Sequence, residues 1–121
     1  MEYNESNEMY LETIYILEKR HGHAHVVDIA RKLGVTKPSV TKAMNQLEKQ
    51  KLIINESYKP ITLTEKGRTV AEEIYSKHKL IINFLEQSLG LDPDEAAENA
   101  CRMEHVISDA MLKAIEKYLK N

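Results

Sequence analysis

The sequence predicts a mainly α-helical chain with one small β-hairpin, and three observations carry that prediction. Apolar residues recur at three- and four-residue spacing over most of the length, Gly and Pro number only four and three, and the β-prone residues gather in two short runs near the middle. With 121 residues, there is room for one domain or two small ones sharing a core, which excludes a large multidomain enzyme.

Ser6 is placed to cap a first helix that carries Tyr10, Ile14 and Leu17 on one face, with Met9, Thr13 and Ile16 beside them, and that ends near Gly22. Residues 21–25 hold three histidines in alternation. They read as a turn and a short extended stretch presented to water rather than as a metal tract, because no other ligand type lies nearby. Residues 26–33 then form a short helix with Gly34 as its left-handed stop. Thr36 caps the next helix, which has Pro38 in its first turn and Val40, Met44 and Leu47 facing inward. Ala30, Gly34 and Val40 stand where a helix-turn-helix needs a small residue, a turn glycine and an apolar lock.

Residues 52–56 and 61–63 are the β-prone runs, and Ser57-Tyr58-Lys59-Pro60 between them makes a hairpin, the wing of a winged helix-turn-helix. The same pattern also fits two packed helices and a hairpin that touch no nucleic acid. Thr64 caps a long helix with Ala71, Ile74, His78, Ile81 and Leu85 on one stripe, closed by Gly90. Asp92-Pro93-Asp94-Glu95 starts another helix, on which Ala96, Ala97, Ala100 and Cys101 form a small-residue stripe. Ser108 caps a last helix bearing Met111, Leu112, Ile115, Tyr118 and Leu119, an apolar face that a homodimer would bury.

The chain carries 17 basic and 19 acidic residues, a net charge of −2, so bulk charge announces no partner. Its distribution says more: residues 27–51 hold six cations (Arg31, Lys32, Lys37, Lys42, Lys49, Lys51) against two acids (Asp28, Glu48). A polyanion docks at that patch, because charges farther away than a Debye length of about 8 Å are largely screened at physiological salt. The longest aliphatic runs are three residues, as in Leu80-Ile81-Ile82, which excludes a transmembrane helix and a membrane partner. The acidic start Met1-Glu2-Tyr3-Asn4-Glu5 lacks the features of an export signal, and the single cysteine closes no intrachain disulfide; both point to the cytoplasm.

Cys101, Glu104 and His105 stand at i, i+3 and i+4, so a helix places a thiolate, a carboxylate and an imidazole within reach of one ion. Met9 and Glu12 offer a thioether and a carboxylate on a second face, and His78 lies on the inner stripe of the long helix. Each has a plain alternative: core filling for Cys101 and Met9, a solvated charge for Glu104, a hydrogen-bonded core histidine for His78.

The blocks Glu8-Met9-Tyr10-Leu11-Glu12-Thr13-Ile14-Tyr15, Asp28-Ile29-Ala30 through Pro38-Ser39-Val40-Thr41, Leu63-Thr64-Glu65-Lys66-Gly67 and Cys101-Arg102-Met103-Glu104-His105-Val106 together closely resemble the diphtheria-toxin-repressor family of metal-dependent transcriptional regulators, which includes the manganese transport regulators. The resemblance covers nearly the whole chain. It implies a winged helix-turn-helix DNA-binding domain over residues 1–63 and a helical dimerisation and metal-binding domain over 64–121. It also implies an iron-type site at Met9, Cys101, Glu104 and His105, while the manganese branch uses positions that fall on Glu12 and His78. The ancillary site of the iron branch would need ligands at Ile82 and Ala97, which have none, and the chain looks like the short form without the SH3-like domain.

Sulfur donors favour Fe2+ over Mn2+ and also admit Co2+, Ni2+ or Zn2+ as substitutes in vitro, so Fe2+ is the expected cofactor and Mn2+, at a binuclear site, the alternative. The implied function is a metal-activated repressor that binds double-stranded DNA as a homodimer at an inverted-repeat operator. Base-edge contacts are expected from Pro38, Ser39 and Lys42, and phosphate contacts from Thr36, Lys37, Thr41, Tyr58 and Lys59. Two other classes are a small metalloenzyme, for which no second acid-base constellation or phosphate-binding glycine loop is present, and an interaction module without metal response.

Overall fold

In a computed structural model, residues 5–121 are described; the acidic stretch 1–4, on which part of the cytoplasmic reading rests, lies outside them. The elements are α1 (Glu5–His21), α2 (Val26–Leu33), α3 (Lys37–Lys49), β1 (Ile53–Ile54), β2 (Thr62–Leu63), α4 (Glu65–Leu89), α5 (Pro93–Met103) and α6 (Asp109–Lys120). They form two compact units, Met1–Glu72 and Glu73–Asn121, with α4 running through the division.

In the first unit, α1 buries Tyr10, Leu11, Ile14, Tyr15 and Leu17 and packs on α2, α3 and β2. Ser6 does not cap this helix, because α1 already includes Glu5. Helix α2 ends where Gly34 turns left-handed at φ 68°, which lets the Val35 N–H reach the Ala30 carbonyl at 3.1 Å. Its bounds are those the sequence predicts, but its cap is not among the predicted ones: His25 is the N-cap, and its backbone N–H donates to Asp28 Oδ2 at 3.3 Å. Thr36 caps α3 by accepting from the Ser39 N–H at 3.3 Å, and Val40, Ala43, Met44 and Leu47 are buried.

The wing is shorter than its β-prone runs, because only Ile53 with Leu63 and Ile54 with Thr62 pair in the antiparallel ladder. Ala24 adds an unpredicted bridge to Ile61, whose N–H donates to the Ala24 carbonyl at 2.8 Å. The turn at 56–59 closes through the Lys59 N–H and Glu56 carbonyl at 3.2 Å, with Tyr58 at φ 64° and fully exposed. The wing is anchored behind by Thr64, whose hydroxyl donates to the Lys51 carbonyl at 2.7 Å and accepts from the Gly67 N–H at 3.0 Å. Arg68 on α4 donates to Glu18 of α1, and that contact is the leading cause of its raised pKa.

The second unit is built around Ile81, Leu85, Ala96, Ala100 and Ile115. Asp92 caps α5 through the Glu95 N–H at 3.0 Å, and Ser108 caps α6 through the Met111 N–H at 3.1 Å, both as the sequence predicts. Ala96 and Ala100 are wholly buried, as small residues must be where other elements pack closely against a helix. On α6, Ile115 is buried, whereas Met111 and Tyr118 remain exposed. No helix among the described residues is long and apolar enough to cross a membrane.

Candidate functional site

The spacing of Cys101, Glu104 and His105 predicts one continuous helix face, but α5 stops at Met103. Glu104 keeps helical dihedrals as the C-cap, with its N–H on the Ala100 carbonyl at 2.9 Å. The N–H groups of Val106 and Ile107 then both turn back to the Met103 carbonyl, which places His105 in the connection to α6. Cys101 lies on the last full turn of α5 as a half-buried thiol outside any disulfide.

What sequence spacing could not show is that α4 delivers His78 to the same carboxylate. His78 Nδ1 lies 2.8 Å from Glu104 Oε2, and His105 Nε2 lies 3.1 Å from Glu104 Oε1. The Glu104 side chain is entirely buried. An ionised carboxylate in such a place needs compensating positive charge, since removing an ion from water costs several kcal/mol even after relaxation. Two protonated imidazoles or one shared cation would supply it.

The separations admit a cation as well as hydrogen bonds. Two donor atoms held at right angles about 2.1 Å from one ion stand about 3 Å apart, and the two nitrogen–oxygen separations bracket that value. The Tyr75 ring lies stacked beside His78, with centroids 6.3 Å apart and planes 22° apart.

Met9 and Glu12 belong to α1 in the other unit. Met9 is half-buried, with its carbonyl accepting from the Thr13 hydroxyl at 2.8 Å, and Glu12 is 5% exposed. Ile82 packs on the core of the second unit, an apolar role consistent with its lack of a donor atom.

The polyanion face is laid out by α3 and the wing. Thr36, Lys37, Pro38, Ser39, Thr41 and Lys42 are all exposed, since the inward-facing positions of that helix are taken by Val40, Ala43, Met44 and Leu47. A cleft lined by His25, Lys37, Asn55, Tyr58, Lys59 and Ile61 runs between the wing and the starts of α2 and α3. Sequence reading missed one feature here: Lys59 Nζ is paired with Glu56 Oε2 at 3.0 Å across the wing turn.

Comparison with known proteins divides the chain in a related way. The family described as iron dependent repressor, N-terminal DNA binding domain, matches residues 2–61, and that described as iron dependent repressor, metal binding and dimerisation domain, matches residues 64–121. The chain is 36% identical over 118 residues to a helix-turn-helix transcriptional regulator of Methanocaldococcus jannaschii, covering 97% of this chain and 94% of that protein. It is 34% identical over 117 residues to the diphtheria toxin repressor of Corynebacterium diphtheriae, covering 97% of this chain but only 52% of the relative. The solved structure of the manganese regulator SloR superposes with a TM-score of 0.81 at 33% identity, over 99% of this chain and 55% of that one. The chain thus spans about half the length of the latter two relatives and nearly all of the first.

Proposed function

The chain belongs to the iron-dependent repressor family of metal-dependent DNA-binding repressors, and from that premise we propose that it is a transcriptional repressor switched on by a first-row divalent cation, Fe2+ in the favoured case. Its relatives are transcriptional regulators and not enzymes. The observation that carries the reading is the convergence of His78 and His105 on buried Glu104, within the region that matches the metal-binding and dimerisation domain.

In this reading Cys101, Glu104 and His105 hold the ion, His78 shares it through Glu104, and Met9 and Glu12 of α1 complete the donor set. A bound cation supplies a fixed positive centre that compensates the Glu104 carboxylate. Residues 1–63 read DNA and residues 64–121 pair two copies, so that two α3 helices address an inverted-repeat operator. Pro38, Ser39 and Lys42 meet base edges, while Thr36, Lys37, Thr41, Tyr58 and Lys59 meet phosphates; their joint exposure supports this assignment. Serine and proline discriminate bases weakly, so part of the specificity comes from DNA shape. The protein acts in the cytoplasm.

The reading is tested by anaerobic fluorescence anisotropy on DNA from the protein's own upstream region, with apo, Fe2+-loaded and Mn2+-loaded protein at fixed salt. Tight binding with metal and little without it is the expected result, and metal-independent binding overturns it. A second reading, in which Mn2+ is the physiological activator, is favoured by the carboxylate at the centre of the His78–Glu104–His105 cluster, since Mn2+ prefers oxygen donors. Activation by Mn2+ where Fe2+ is silent would establish it.

A further inference from the structure

We propose that His23 and His25 form a second transition-metal site, distinct from the one around Glu104, which takes a borderline cation such as Zn2+, Ni2+ or Cu2+. The histidine tract around them plays no part in the reading above, and the structure gives it a defined shape. Ala24 is fully buried and bridged to Ile61, so its neighbours on either side are held in extended chain and directed away from it. His25, at φ −111° and ψ 157°, is further fixed as the N-cap of α2. The two imidazoles consequently meet, with ring centroids 4.9 Å apart and planes inclined at 62°.

That separation, which also suits an edge-to-face ring contact, falls within the range a shared ion allows. A metal–nitrogen bond of about 2.0–2.1 Å puts each ring centroid about 3.2 Å from the metal, so two imidazoles at inter-ligand angles between square and tetrahedral lie roughly 4.5–5.2 Å apart. His23 is exposed, so a cation and the waters completing its coordination have open access. The donors are imidazole alone, which ranks Cu2+, Ni2+ and Zn2+ above Fe2+ and Mn2+. The site would therefore select against the two ions expected at Glu104, and its existence does not depend on that assignment. His25 also lines the cleft shared with Lys37 and Lys59, so a bound cation would add positive charge to that face.

The test is a Zn2+ titration of the full chain followed through its imidazole NMR signals, continued beyond the filling of any tighter site. His23 and His25 should shift along one common curve while His21 stays unmoved, and H23Q, at an exposed position, should weaken the His25 response about tenfold. The proposal is overturned by an unchanged His25 response in H23Q, by equal response of His21, or by no shift at millimolar Zn2+. Because the readout is specific to these residues, failure of metal-dependent DNA binding would leave the result intact.

Discussion

Glu104 and His78, twenty-six positions apart in the chain, meet at 2.8 Å between Oε2 and Nδ1, where the carboxylate is wholly excluded from solvent. If the contact exists to share a cation, its members should be costly to metal binding and cheap to the metal-free fold. E104Q removes the buried charge while keeping the shape. Metal affinity should fall at least about tenfold, and the metal-induced rise in melting temperature should shrink accordingly. Calorimetric titration and thermal melts with and without metal check this; wild-type affinity in E104Q would refute the assignment.

Cys101 separates the iron reading from the manganese reading. C101A should weaken Fe2+-stimulated DNA binding by about tenfold or more and Mn2+-stimulated binding far less, since thiolate is a poor partner for Mn2+. Anaerobic anisotropy with both metals gives the ratio, and an equal loss with each would place Cys101 outside the donor set or make it purely structural.

Lys59 is held by Glu56 at 3.0 Å in an exposed pair, so Glu56 competes with any phosphate for the same ammonium. E56Q should tighten DNA binding several-fold at low salt, with the gain vanishing as salt rises, while K59A should weaken all sequences alike and reduce the salt slope by about one unit. K42A should instead alter sequence preference. Matching profiles for K42A and K59A would mean that the division between base and phosphate contacts is wrong.

Gly67 has no room for a side chain. A Cβ there would stand 1.9 Å from the Leu52 carbonyl oxygen, and the obstruction is backbone, which cannot swing aside. G67A should therefore destabilise by about 3 kcal/mol or more in urea unfolding, because the wing and the start of α4 must separate to admit the methyl group. A loss below about 1 kcal/mol would show that this junction yields easily.

Thr36 supplies the side-chain cap of α3, accepting from Ser39 at 3.3 Å. T36A should cost about 1 kcal/mol of stability and T36S a small part of that, as judged by chemical denaturation. Equal losses in the two variants would assign the effect to the methyl group rather than the cap.

The order of the helices, the left-handed stop at Gly34, and the caps at Thr36, Thr64, Asp92 and Ser108 were all legible in the amino-acid sequence. Each is decided within a few residues by a hydroxyl, a carboxylate or a glycine beside its own helix end. The apolar stripes were legible for the same reason, since 3.6-residue periodicity is a local pattern, and so was the exposed polar face of α3 as its complement. The candidate metal residues could be named from their chemistry and from resemblance. Their arrangement could not. The turn after Met103 withdraws His105 from the helix that spacing predicts, and Glu104 meets a histidine from α4. The bridge from Ala24 to Ile61, the pairing of Lys59 with Glu56 and the closeness of Gly67 to Leu52 likewise escaped the sequence reading. The chain by itself determined which elements form and which donors are available, because those depend on neighbours in sequence. Only the tertiary structure decided which donors face one another, because that depends on close packing between segments whose contact no local periodicity encodes.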